Sequence, residues 1–154
     1  MLRKIQRKSK SSGGGLFAIV ASRYNARYVD SMLRAAQKEL RAARATVKIM
    51  RVPGAYEIPL VATRLARTGG EPLAGIICLG VILRGQTVHA EHIGREVSRA
   101  LMDIQLRHEI PVIHEVLLLE NEDQARARCL DAKFNRGTEA AQTALAMARV
   151  MAGL

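Results

Sequence analysis

Apolar runs and stretches of helical period alternate along the chain. Leu16–Ser22 is a short apolar run and reads as a strand. The stretch after it places Val29, Leu33, Ala36 and Leu40 on one helical face, ending near Ala43. Asn25 stands where its side chain can cap that helix by accepting a free backbone N–H. Thr46–Val52 is a second strand, with Val47 and Ile49 alternating against Lys48. Pro53-Gly54 forces a turn, and Glu57–Arg67 reads as a helix that tolerates Pro59 in its first turn. Ala74–Leu83 is the longest apolar run and predicts a central strand buried on both faces. The loop Arg84-Gly85-Gln86-Thr87 precedes a long helix from about His89 to His108. Pro111–Leu119 is a fourth strand, and Glu120–Cys129 and Thr138–Met151 are the last two helices.

Strands alternating with helices of this length predict βαβ units. The expected fold is a three-layer α/β/α sandwich of flavodoxin-like type, with a mostly parallel four-stranded sheet and right-handed crossovers. Ligands of such sheets bind outside the carboxyl ends of the strands. Here those ends are Ser22–Asn25, Pro53–Glu57, Val81–His89 and the end of Pro111–Leu119.

Composition refines this picture. The chain has 154 residues, which suits one domain, 16–154, behind a leader, 1–15, that is basic, then Ser-rich, then Gly-rich. With 49% hydrophobic but only 3% aromatic residues, the core is built from Ala, Leu, Ile and Val. Half of the net charge of +10 falls in the first ten residues, on Arg3, Lys4, Arg7, Lys8 and Lys10. That charge reads as a solvated flexible arm or as an arm for an anionic polymer. Cys78 and Cys129 fit neither a zinc spacing nor a Cys-x-x-Cys motif, and a reducing cytoplasmic setting is expected. No apolar stretch has membrane-spanning length, and Gly13-Gly14-Gly15 stands where a signal peptide would be apolar, so neither export nor a membrane span is expected.

Candidate chemistry gathers at the strand ends. Arg84–His89 follows a buried strand and opens a helix, where free N–H groups and the helix dipole favour an anion; an ordinary loop capped by Thr87 reads equally well. His89 at its mouth suits proton transfer near neutral pH, or is a surface histidine. His89, His92 and Glu96 share a helix face, but one helix without a second cluster makes a poor metal site, so no metal is expected. Glu57 accepts from N–H donors of a polar ring or complements the next helix dipole. Tyr24 stacks on a planar ligand or packs at an edge. Arg126 and Arg128 suit phosphate, or form a plain charged helix face.

Together these segments resemble the lumazine synthase family. The matching stretches are Ser22-Arg23-Tyr24-Asn25, Val52-Pro53-Gly54-Ala55-Tyr56-Glu57-Ile58-Pro59 and Leu79-Gly80-Val81-Ile82-Leu83-Arg84-Gly85-Gln86-Thr87-Val88-His89. Pro111-Val112, Glu120–Ala125 and Asn135–Ala141 follow in the right order, so the likeness covers roughly residues 16–150. It implies condensation of 5-amino-6-(D-ribitylamino)uracil with 3,4-dihydroxy-2-butanone 4-phosphate, without cofactor or metal. In that reading Tyr24 stacks on the pyrimidine, and Ala55, Tyr56 and Glu57 hold the ribityl chain and nearby edges. Val81, Ile82 and Leu83 line the ring pocket, and Gln86 and Thr87 present backbone N–H groups to phosphate. His89 shuttles protons, and Arg128 clamps phosphate from a neighbouring subunit. The chain departs from the family pattern at His114, where Phe is usual, and at Ala132-Lys133, where the lysine is displaced by one place. The usual N-terminal strand is not recognisable in residues 1–15.

The resemblance implies a homo-oligomer, a pentamer or a sixty-subunit shell. An Ala-rich last helix (Ala141, Leu145, Ala148, Ala152) left bare in a lone subunit points the same way. A flavin- or pteridine-binding relative without turnover is the alternative function. An RNA-binding module is disfavoured, because the body lacks aromatic platforms and a basic stripe.

Overall fold

The computed structural model describes residues 14–67 and 69–154. The expected leader falls, up to residue 13, outside the described residues. The elements are β1 (Leu16–Ser22), α1 (Ala26–Ala42), β2 (Thr46–Val52), a 3₁₀ turn (Ala55–Glu57), α2 (Ile58–Arg67), β3 (Leu73–Leu83), α3 (His89–His108), β4 (Val112–Leu119), α4 (Glu122–Ala125), a π-helical turn (Arg126–Leu130) and α5 (Arg136–Ala152). All strand pairs are parallel, in the order β2-β1-β3-β4.

Strand periodicity divides the core in two. Phe17, Ile19, Ala21, Ile77, Leu79, Val81 and Ile113 face α1 and α5. Ala18, Val20, Ile76, Cys78, Val112 and Val116 face α2 and α3. The result is the expected three-layer sandwich. The small residues of α5 let it lie close on α1: Ala140, Ala141 and Ala144 are fully buried, and Leu145 and Ala148 pack beside them. Ala141, Leu145 and Ala148 of the Ala-rich face are therefore covered wholly or in part within the chain, and only Ala152 at its end is exposed, so this face is a weak reason for oligomerisation. Exposed apolar side chains lie on α3, at Met102 (54%) and Leu106 (69%), and at the end of α5, at Val150 and Met151.

Two local expectations are corrected. Asn25 precedes α1 in a left-handed conformation (φ 57) and makes no side-chain cap. Its amide instead donates to the Val81 carbonyl at 2.7 Å, tying the end of β1 to the end of β3. The helix expected over Glu120–Cys129 is one α turn continued by a π turn. Asn121 caps it, its side chain accepting from the Gln124 N–H at 2.9 Å.

Candidate active site

The order of strands reverses at β1. The chain leaves β1 toward β2 through α1 on one face, and leaves β3 toward β4 through α3 on the other. The two exits diverge and open a crevice at the carboxyl ends of β1 and β3. A cavity of about 610 Å³ lies there. Tyr24 and Asn25 enter it from the end of β1; Gly54, Ala55, Tyr56 and Glu57 from the turn after β2; Val81, Ile82 and Leu83 from the end of β3. One face of α3, His89, His92, Ile93 and Glu96, closes the remaining side.

The turn after β2 is held by its own backbone. Arg23 N–H donates to the Val52 carbonyl at 2.8 Å and Tyr24 N–H to the Pro53 carbonyl at 3.0 Å. The Glu57 carboxylate accepts from Gly54 N–H at 2.9 Å, so it anchors the turn as well as bordering the cavity. Gly54 is required by close approach. A Cβ there would stand 3.0 Å from that carboxylate and 3.2 Å from the Tyr24 ring. Tyr24 and Tyr56 border the cavity yet remain 72% and 63% exposed, so their rings are open to a ligand or a second chain.

Eight of the twelve residues that the resemblance implicates thus meet in one cavity: Tyr24, Ala55, Tyr56, Glu57, Val81, Ile82, Leu83 and His89. Gln86 and Thr87 stand exposed in the loop that leads to it, where the Thr87 hydroxyl accepts from His89 N–H at 3.4 Å. Arg84 is taken up by an ion pair with Glu91 and another with Glu120 at 3.0 Å, so it braces this loop. A Cβ at Gly85 would meet nothing within 4 Å. His114 and Arg128 do not line the cavity. His114 is exposed on β4, at the sheet edge. Arg128 sits half-buried in the π turn, its guanidinium donating to the Gln124 carbonyl at 3.3 Å. Asn25, Gly54, Ile93 and the cavity role of His92 and Glu96 were not anticipated. The spacing of His89, His92 and Glu96 had placed them on one helix face, but only the fold directs that face at the crevice. Among the described residues, no group of three or more His, Cys, Asp or Glu side chains is arranged to hold a metal ion.

A second ionisable cluster lies on the opposite face of β4. Glu115 is partly buried, its side chain 12% exposed, and pairs with Arg136 at 3.5 Å, while Arg136 also holds Glu139 at 2.9 Å. Burial pushes the Glu115 carboxyl from 4.5 up to about 7; Arg136 opposes the rise and Glu139 adds to it. The fold therefore prefers the protonated acid. That contribution to stability is complete below pH 4.5 and is lost as pH rises through about 7. Glu115→Gln keeps the neutral form at every pH. It is expected to remove a stability decline of about 2–3 kcal/mol between pH 5 and 8. Thermal unfolding across that range checks it, and a decline that persists unchanged in the variant would place its origin elsewhere.

A cleft at the reversal of strand order, lined by aromatic, carboxylate and imidazole side chains, defines a flavodoxin-like α/β protein that takes a small polar ligand. The family profile of 6,7-dimethyl-8-ribityllumazine synthase matches residues 15–152. The 6,7-dimethyl-8-ribityllumazine synthase of Stenotrophomonas maltophilia is 41% identical over 138 residues, 88% of each chain. That of Xanthomonas campestris pv. campestris is 38% identical over 138 residues, again 88% of each chain. The chain belongs to the 6,7-dimethyl-8-ribityllumazine synthase family.

Proposed function

We propose that the cavity is one part of a pocket completed by a neighbouring subunit, in which the chain condenses 5-amino-6-(D-ribitylamino)uracil with 3,4-dihydroxy-2-butanone 4-phosphate. Family membership supports the reaction, a transferase step of riboflavin biosynthesis that yields 6,7-dimethyl-8-ribityllumazine, phosphate and water. The observation that carries the site is the convergence of three strand-end segments on one cavity. Tyr24 stacks on the pyrimidine, and Ala55, Tyr56 and Glu57 hold the ribityl chain and nearby edges. Val81, Ile82 and Leu83 form the wall against the ring. Gln86 and Thr87 offer N–H groups at the start of α3 to the phosphate, where the helix dipole favours an anion. The open space at Gly85 leaves room for a ligand against that backbone. His89, the first residue of α3, moves protons while amine and ketone join and water and phosphate leave. His114 and Arg128, outside the cavity of their own chain, serve the neighbour's pocket.

The assembly is a homo-oligomer with a pentamer as its smallest working unit. The exposed rings of Tyr24 and Tyr56 and the apolar side chains of α3 suit burial between subunits. No helix among the described residues is long and apolar enough to cross a membrane, and Cys78 and Cys129 are both buried and unpaired. A reducing cytoplasmic setting fits two such thiols.

Mixing the purified chain with the two substrates is expected to produce lumazine absorbance, and light scattering during gel filtration to give at least five subunits. An active monomer would remove the shared pocket. Arg128→Ala is expected to raise KM for the butanone phosphate about tenfold or more and to leave KM for the pyrimidine nearly unchanged. A charge-assisted hydrogen bond is worth about 1.5–3 kcal/mol. Equal movement of both values would make Arg128 structural. Reassembled mixtures of His89→Ala and Arg128→Ala subunits should regain part of the activity, because some pockets pair an intact residue from each. No recovery despite verified mixing would place both residues in one subunit's pocket.

A further inference from the structure

His114 belongs to a chain of hydrogen bonds that assigns its proton. The Val116 N–H donates to His114 Nδ1 at 3.1 Å, so Nδ1 carries a lone pair. The Ser98 hydroxyl on α3 donates to the Gly94 carbonyl at 2.7 Å, so its oxygen is free to accept. His114 Nε2 lies 2.7 Å from that oxygen and must be the donor. Each ring nitrogen is satisfied in the neutral Nε2–H form. Adding a proton at Nδ1 would set two hydrogens face to face with the Val116 N–H.

We propose that Ser98 is a positioning residue that holds the His114 ring with Nδ1 turned to the Val116 N–H, the contact that keeps the ring uncharged, so that β4 offers the neighbouring pocket an apolar ring face with no free polar edge. This role rests on the shared pocket proposed above. It explains how a histidine serves at a sheet edge facing an uncharged planar substrate. A freely titrating imidazole would be partly cationic near neutral pH and would draw water to the ring.

The surroundings do not counter the lock. Along the side of α3 that bears Ser98, the charged groups are Glu91, paired with Arg84, and Arg95, one turn before Ser98. The residue opposite His114 on β3 is Cys78, whose thiol burial pushes up to about 12 and keeps neutral. The neighbours on the same face of β4 are Val112 and Val116. Partial burial alone lowers the His114 pKa, in the direction the hydrogen bonds demand.

The test is a carbon-13 NMR titration of the four histidines in the assembled protein, with His114 assigned by its loss in His114→Phe. In the wild type the His114 signal should stay neutral well below the ordinary histidine range. Ser98→Ala frees the ring to turn Nδ1 away from the Val116 N–H, so its titration should move to higher pH than in the wild type, and Ser98→Thr should restore the lock. In Ser98→Ala, KM for the pyrimidine should rise from pH 8 to pH 6 as the cationic fraction of His114 grows, and more steeply than in the wild type. His114→Phe and the double variant should show no such rise. A wild-type His114 that titrates normally, or one unmoved by Ser98→Ala, overturns the lock whatever the subunit arrangement. A titration that moves without any change in KM overturns the role in the pocket. Loss of activity in His114→Phe alone would mean that a ring N–H is used directly. The subunit-mixing experiment reads the shared pocket separately.

Discussion

His89→Ala is expected to lower kcat by about 10²–10⁴-fold while changing substrate KM values little, the usual worth of a placed general acid–base group. The condensation requires a proton to leave the attacking amine, another to reach the departing oxygen of the carbinol, and a third to be managed as phosphate leaves. His89 is exposed to the cavity at the first residue of α3, within one loop of the N–H groups assigned to the phosphate. Glu57, the carboxylate at the turn after β2, already accepts from the Gly54 N–H. His92 and Glu96 lie one and two turns further along the helix, so neither replaces His89 without moving the substrate. Steady-state rates with both substrates varied settle the matter. An unchanged kcat would leave His89 a positioning residue and direct attention to His92.

The strands were legible because alternation and apolar runs have a period that the fold obeys. Leu16–Ser22 and Thr46–Val52 were read with the bounds that the structure has, and the other two strands differ by one residue at their starts. Legibility failed where a side chain made a choice that periodicity does not encode. Asn25 has the right identity and place for a helix cap, yet its amide reaches Val81 across the sheet, a partner 56 positions away. The π turn at Arg126–Leu130 is a change of hydrogen-bond register within a stretch whose composition is plainly helical. The Ala-rich face of α5 was seen correctly as apolar, but its partner, α1, is non-local.

The candidate site divides in the same way. Residues carried by contiguous strand-end segments, such as Ala55-Tyr56-Glu57 and Val81-Ile82-Leu83, were found together because strand ends converge in any sheet of this order. His114 came from resemblance alone, Arg128 from resemblance added to an arginine pair that reads equally as a charged helix face, and nothing in this chain's own cavity calls for either. The partner of His114, Ser98, is an inconspicuous helix residue whose meaning appears only once α3 lies against β4.

Gly137→Ala is expected to destabilise the fold by about 3 kcal/mol or more, at the upper end of overpacking effects. A Cβ at position 137 would stand 1.9 Å from the Met32 carbonyl oxygen and 2.6 Å from the Met32 Cα. Both neighbours are backbone, so no rotamer change relieves the clash, and α5 must move away from α1. That movement opens the seam where Ala140, Ala141 and Ala144 lie against the α1 face bearing Met32 and Ala36, all fully buried. It also pulls on Asn135, which caps α5 through the Gly137 N–H at 2.8 Å and donates to the Cys129 carbonyl at 2.7 Å. The second of these bonds fastens the π turn that carries Arg128. For a chain of this length the loss corresponds to a Tm lower by about 6–12 °C. Well below that Tm, KM for the butanone phosphate should rise as Arg128 loses its support, while KM for the pyrimidine holds. Thermal unfolding and the two KM values check this together. A Tm within 2 °C of the wild type, by the same scale of about 2–4 °C per kcal/mol, would mean that α1 and α5 lie further apart than this seam requires, and that Gly137 owes its place to something other than close approach.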